Sequence, residues 1–182
     1  MTEISLYMLD LVQNSILAKA SVVTITMNED ITHNRLVLTI SDNGKGMDEA
    51  TLQQVTSPFY TTRTTRKVGL GLAFMKELCD ACSGSFQITS IPNQETMLEA
   101  VMQYDHIDRP ELGQIAESLY SLMLQEVRII YHHYRNNYHF RIDSEEIRTI
   151  LGDVSLAQYD VMRWIKEYIT EQIAQLTPME EL

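Results

Sequence analysis

The strand-like run Leu36 to Ser41 passes directly into Asp42-Asn43-Gly44-Lys45-Gly46-Met47, and this junction constrains the fold more than any other feature of the chain. Closely spaced glycines let the backbone turn sharply and approach a ligand, and a turn at a strand end is a common ligand position. Taken alone, the hexapeptide is also an ordinary turn. A second glycine pair, Gly69-Leu70-Gly71, opens a segment of helical period that runs to about Cys82, where Ser83-Gly84 supplies the stop. The N–H groups at a helix start suit phosphate. One glycine turn leaving a strand and another entering a helix fit helices laid on a sheet, with a ligand position at the strand end.

The remaining pattern supplies both layers. Residues 4 to 20 read as a helix because Leu9, Val12, Ile16 and Ala20 recur at helical spacing, with Asp10, Gln13 and Asn14 on the opposite face. Ser21 to Met27 and Leu36 to Ser41 are β-branched and alternating, so they pair across a turn at Asn34. Asp48 caps a helix over 49–55 that ends by Pro58. Phe59 to Val68, rich in Thr and Arg, reads as a surface loop. Ser85 to Ile91 and Thr96 to Tyr104 are strand-like around the turn Pro92-Asn93-Gln94-Glu95. Beyond Arg109-Pro110 come a helix near 111–125, two strands around Asn136-Asn137, and helices near 144–151 and 156–176, the first of these two capped by Asp143 or Ser144. At 182 residues this predicts a main domain over 1–104 and a separate small α+β extension over 105–182, packed together.

Composition narrows the function classes. A formal net charge of −11 repels a phosphate backbone, so nucleic acid is not an expected partner. No run of apolar residues reaches the roughly 18 that a membrane span requires. The start MTEISLYMLD lacks a basic, then apolar, secretory pattern, so a cytoplasmic address is expected. Cys79 and Cys82 form a lone C-x-x-C pair; a zinc site needs two more ligands, and two small apolar residues on a core-facing helix is the simpler reading. His106, His132, His133 and His139 read as surface or packing residues, since strand neighbours His132 and His133 point to opposite faces.

Four segments in fixed order carry a resemblance to the GHKL class of ATP-binding proteins, the fold shared by gyrase, Hsp90, histidine kinases and MutL. Leu9-Asp10-Leu11-Val12-Gln13-Asn14-Ser15 resembles its N box, with acid and asparagine four residues apart on one helix face. The resemblance implies that Asn14 coordinates Mg²⁺ and that Asp10, the candidate catalytic residue, orients the attacking water. Asp10 stands where the family's ATPases use Glu and reaches about one methylene less. Asp42-Asn43-Gly44-Lys45-Gly46-Met47 looks like the G1 box, which implies that Asp42 accepts the adenine amino group while Gly44, Gly46 and Met47 line the base. Ser57-Pro58-Phe59-Tyr60-Thr61-Thr62-Arg63 resembles the F box. Val68-Gly69-Leu70-Gly71-Leu72 resembles the G2 box, which makes residues 61–67 the ATP lid. Phe59, Thr61, Thr62, Arg63, Thr64, Thr65, Arg66 and Lys67 then join Val68, Gly69, Leu70, Gly71 and Leu72 as nucleotide-binding candidates. Thr96 matches the threonine that supports the adenine-binding aspartate, although Glu95 replaces the usual glycine beside it.

This resemblance covers residues 4 to about 103 and implies an α+β, two-layer α/β sandwich of the Bergerat, histidine-kinase-like type. Its cofactors would be ATP and Mg²⁺, and its activity slow ATP hydrolysis or protein phosphorylation as a regulatory switch. Only nine residues precede Asp10, so a phospho-acceptor hairpin is not expected, and Leu17 stands where sensor kinases usually place Lys. By size, anti-sigma-factor-like serine kinases and other free-standing ATP-binding proteins are nearer. The segment Asp105-His106-Ile107-Asp108-Arg109-Pro110 resembles proteins encoded beside iron hydrogenases, which implies a link to redox or hydrogenase regulation. A non-catalytic nucleotide-sensing module is the rival reading. A protein partner is expected, and a homodimer could form through the stripe Leu156, Tyr159, Met162, Ile165, Tyr168 and Ile169, unless that stripe covers the chain's own core.

Overall fold

A computed structural model describes residues 3–55 and 70–176, with Leu70 described in its backbone alone. The elements are α1 (Ile4–Leu17), β1 (Val22–Asp30), β2 (Arg35–Asp42), α2 (Glu49–Val55), α3 (Leu70–Ala81), β3 (Ser85–Ile91), β4 (Glu95–Gln103), α4 (Ile115–Met123), β5 (Arg128–Arg135), β6 (Tyr138–Asp143), α5 (Ser144–Leu151) and α6 (Tyr159–Gln175). All six strands form one sheet in the order β3-β4-β2-β1-β5-β6. Neighbours run antiparallel except β1 and β5, which pair in parallel from Val22 opposite Arg128 to Glu29 opposite Arg135. The strands of the C-terminal segment thus continue the main sheet.

Strict alternation decides which face is covered. β1 buries every second residue, Val23, Ile25, Met27 and Glu29, and β2 buries Leu36, Leu38, Ile40 and Asp42. Side chains at period two share a face, and this one meets α1, α3 and α4. Ile4, Met8, Leu11, Met75, Leu119 and Met123 close the core from the helical side. The expected two-layer α/β sandwich is what the chain forms.

Several elements differ from the sequence reading. The buried face of α1 is Ile4, Met8, Leu11, Val12 and Ser15, while Leu9, Ile16 and Ala20 sit at its flank. Both rows satisfy helical period, and wedging of α1 among the sheet, α3 and α4 selects the former. α1 also stops short, because Lys19 takes φ +60°. α4 begins four residues late, behind Gly113 at φ +75°. α6 starts at Tyr159, three residues later than expected, so Leu156 precedes it; Ile165 and Ile169 are fully buried and Leu156 and Met162 pack against the core, whereas Tyr159 remains 69% exposed. The stripe therefore mainly covers the chain's own core, against α4.

The caps follow the sequence. The Asp48 side chain accepts from Thr51 N–H at 2.8 Å and the Asp143 side chain from Glu145 N–H at 3.0 Å. Asn34, Asn93 and Asn136 take the left-handed conformation at the three hairpin turns, as short polar side chains tolerate.

Candidate functional site

The end of β2 holds the site's one buried carboxylate. Asp42 is 7% exposed. Its Oδ2 accepts the Ser15 hydroxyl at 2.6 Å, and its Oδ1 accepts Gly44 N–H at 2.9 Å. The two bonds fix the carboxyl rotamer and leave lone pairs for a third donor, since a carboxylate accepts about four hydrogen bonds. A Cβ at Gly44 would lie 2.8 Å from Asp42 Oδ1 and 2.9 Å from the Ala18 carbonyl oxygen, so only glycine fits.

The turn that follows is anchored on three sides. The Asn43 side-chain oxygen accepts from Ser21 and Val22 N–H, both at 2.9 Å, tying the turn to the start of β1. Lys45 N–H donates to the Ala18 carbonyl at 3.0 Å, and the Lys45 carbonyl accepts from Asn93 N–H at 2.7 Å. Gly46 takes φ +59°, where any side chain would run into the Ile91 carbonyl.

Opposite Asp42 in the β2–β4 register lies Thr96, whose hydroxyl is 2.9 Å from Ser90 Oγ. Ser90 donates to the Glu95 carbonyl at 2.9 Å and accepts Met47 N–H at 2.8 Å. With the single Ser90 proton directed at Glu95, the shared bond is donated by Thr96. Its oxygen lone pairs then remain free to accept.

These groups surround a cavity of about 350 Å³, a size that suits a small-molecule ligand. Leu11, Ile40, Met47, Ile88 and Leu98 supply apolar walls, and Asn14, Asp42, Lys45, Thr51 and Thr96 supply polar points. Of the residues singled out from sequence, Asn14, Asp42, Gly46, Met47, Leu72 and Thr96 line this one space. Asp10 is exposed on α1, one turn before Asn14, with its carboxylate against Gly71 where a β-carbon would otherwise sit. Phe59, Thr61, Thr62, Arg63, Thr64, Thr65, Arg66, Lys67, Val68 and Gly69 lie outside the described residues, and Leu70 contributes its backbone to the start of α3.

Sequence reasoning missed Ser15, Ser90, Lys45 and Thr51. Ser15 had a local signal, since it follows Asn14 directly; Ser90 had none, because its role depends on β3–β4 register. Cys79 and Cys82 are both buried, unpaired by disulfide, and burial pushes the Cys79 thiol up to about 12. They pack as small apolar residues. Among the described residues, no three His, Cys, Asp or Glu gather around a metal position, and no helix is long and apolar enough to cross a membrane.

Comparison with known proteins bears on this geometry. The profile of the histidine kinase-, DNA gyrase B- and HSP90-like ATPases matches residues 2–106. A sensor protein of Shewanella frigidimarina is 36% identical over 78 residues, covering 42% of this chain and 12% of that protein. Sporulation kinase C of Bacillus subtilis is 29% identical over 96 residues, covering 52% of this chain and 22% of the relative. The chain thus matches under a quarter of the length of these relatives. The N-terminal domain of a DNA repair protein superposes with a TM-score of 0.52 at 16% identity, over 78% of this chain and 52% of that one, and so shares the fold. With more than half of its length matched by the profile and the glycine turn after β2 lining the cavity, the chain belongs to the histidine kinase-, DNA gyrase B- and HSP90-like ATPase family.

Proposed function

We propose that the chain binds Mg·ATP in the cavity between α1, β2 and β4 and acts as a nucleotide-dependent regulatory switch. The observation that carries this reading is Asp42, a buried carboxylate held on both oxygens yet lining a mixed cavity. An acceptor fixed there suits the exocyclic amine of adenine and leaves the carbonyl of guanine unpaired. Thr96 supports the same base edge, and Leu11, Ile40, Met47, Ile88 and Leu98 suit the flat faces of a base.

Magnesium takes oxygen ligands and keeps most positions for water and phosphate. Asn14, half-buried on the cavity wall with an amide oxygen, fits a site that needs one protein ligand. The ion, when bound, neutralises phosphate charge. The start of α3 offers backbone N–H groups to phosphate. Arg63, Arg66 and Lys67 are proposed to add charge from the lid, with Thr64 and Thr65 as hydroxyl donors. Asp10 is proposed to orient the attacking water or a substrate hydroxyl.

Phosphoryl transfer to a separate protein is supported by the kinase names of the relatives. A non-catalytic sensing module is the second reading, favoured by the short Asp10 side chain and its seat against Gly71. A redox or hydrogenase link rests on the 105–110 segment alone, since the buried thiols add no support. A homodimer would use what α6 leaves exposed, Tyr159 and Trp164.

Isothermal titration of ATP, ADP and GTP, with and without Mg²⁺, tests the binding site. Adenine-selective heat lost in Asp42→Asn, with magnesium dependence lost in Asn14→Ala, is expected. No ATP binding by folded wild type would sink the reading. ATP binding without turnover above an Asp10→Asn control would favour the sensing module.

A further inference from the structure

Three polar side chains form one row across the sheet at the cavity. Asp42 of β2 is the register partner of Thr96 on β4, and Thr96 is the register partner of Ser90 on β3. Partners directly opposite share a face, with β-carbons about 4.5–5.5 Å apart, so a single ligand group can lie between Asp42 and Thr96. Both of these line the cavity, whereas Ser90 stands behind Thr96, outside the lining.

Every hydroxyl proton around this row is already committed. A carbonyl only accepts, so the 2.9 Å contact between Ser90 Oγ and the Glu95 carbonyl takes the Ser90 proton. Met47 N–H donates to the same Ser90 oxygen at 2.8 Å. Thr96 Oγ1, 2.9 Å from Ser90 Oγ, then donates its own proton to Ser90. The Ser15 proton goes to Asp42 at 2.6 Å. What Asp42 and Thr96 have left to offer a ligand is lone pairs alone.

We propose that Ser90 is a positioning residue for base selectivity: without touching the nucleotide, it holds the Thr96 hydroxyl as an acceptor. The inference rests on the adenine-binding reading of the cavity. Between two acceptors, an exocyclic amine offers one hydrogen to each, whereas a carbonyl in its place meets lone pairs on both sides. A site built to pair one set of polar groups rejects the analogue that leaves them unpaired. Released from Ser90, the Thr96 hydroxyl is free to rotate and donate to a carbonyl, and the discrimination weakens. Ser90 also anchors Met47 N–H. If that anchor were its whole role, losing it would lower the affinity for every nucleotide in proportion and leave the ratio between nucleotides unmoved.

Calorimetric affinities of ATP and inosine triphosphate, its counterpart with a carbonyl in place of the amine, measured with Mg²⁺ on the full chain, separate the two roles. Ser90→Ala should narrow the preference for ATP by about tenfold, the worth of one hydrogen bond. Ser90→Thr, which keeps the hydroxyl on a residue suited to a strand, should restore it. Thr96→Val removes the acceptor and should narrow the preference too, and in that background Ser90→Ala should add nothing. Lys45, which also lines the cavity, is present in every variant, so its contribution cancels from the comparison. If wild type binds ATP but Ser90→Ala lowers both affinities in parallel, this inference alone is overturned. A ratio unmoved by Thr96→Val, or narrowed further by Ser90→Ala in that background, overturns it as well. A folded wild type that binds neither nucleotide overturns the site reading and this inference with it.

Discussion

Ser15 directs its only hydroxyl proton to Asp42 Oδ2 at 2.6 Å, across 27 residues of chain and with both partners buried. Hydrogen bonds to a charged group contribute roughly 1.5–3 kcal/mol, so Ser15→Ala is expected to lower stability by about 1–3 kcal/mol and to weaken ATP binding. Denaturant unfolding and calorimetry read the two effects separately, and ATP affinity unchanged in a folded variant would remove Ser15 from the site. Asp42 was legible from its glycine context, whereas the Ser15 contact was not, because it depends on how α1 is rolled against β2. The same blindness covers Glu29, which alternation places in the core like any apolar residue. Burial alone would raise its carboxyl. His133 at 2.8 Å, Tyr104 at 2.9 Å and the Arg135 charge outweigh burial and hold it below the ordinary 4.5. A carboxylate accepts only, so His133 Nε2 carries a proton and Nδ1 meets the Tyr131 hydroxyl at 2.7 Å. A depressed folded pKa gives stability that is present above the unfolded value and lost as pH falls through the folded one. Glu29→Gln should therefore cost about 3–5 kcal/mol at pH 7, with the gap to wild type narrowing below about pH 4.3. A gap that stays constant from pH 7 down through that range would contradict the ion-pair account.

Two glycines at element ends predict opposite phenotypes. Gly46 combines φ +59° with the Ile91 carbonyl in the place of a side chain, and both obstacles are backbone. Gly46→Ala should strain the β2 turn by about 1–3 kcal/mol and impair nucleotide binding with it. Gly71 is blocked instead by the end of the exposed Asp10 side chain, which can swing away. Because only the movable end of Asp10 stands in the way, Gly71→Ala should change the unfolding free energy by no more than about 1 kcal/mol, yet lower any ATP turnover by displacing Asp10. If Gly71→Ala unfolds the protein, the contact with Asp10 is structural. Strand and helix identities were readable because period and caps are local: the 49–55 helix behind Asp48 and the hairpins at Asn34, Asn93 and Asn136 fall as expected. Helix rotation was not, since two apolar rows of α1 satisfy the same period. The start of α4 was displaced by a distant group, the Glu3 carboxylate, which accepts Gln114 N–H at 3.1 Å and crowds Gly113.

At the scale of the molecule, the decisive pairing is parallel and remote. β1 and β5 are joined along eight register positions although about a hundred residues separate them, and nothing local in either strand announces its partner. The family profile ends at residue 106, yet the sheet does not. Without residues beyond 106, β1 would become an edge with a row of unpaired N–H and C=O groups. Ile4, Met8 and Leu11 would lose α4, whose Leu119 and Met123 are fully buried, and Glu29 would lose His133 and Arg135 in a core that still excludes water. An unpaired buried charge and a lost helix layer each exceed what a marginally stable domain tolerates, since total stability is only about 5–15 kcal/mol. A chain cut after residue 106 should therefore lack a cooperative transition on urea titration and give a poorly dispersed amide NMR spectrum. A dispersed spectrum with cooperative unfolding would mean that the ATPase-like part folds alone and that the extension only docks. The C-terminal segment would then be free to leave the β1 edge when nucleotide binds, and nucleotide-dependent proteolysis between residues 104 and 115 would detect that movement in the intact chain.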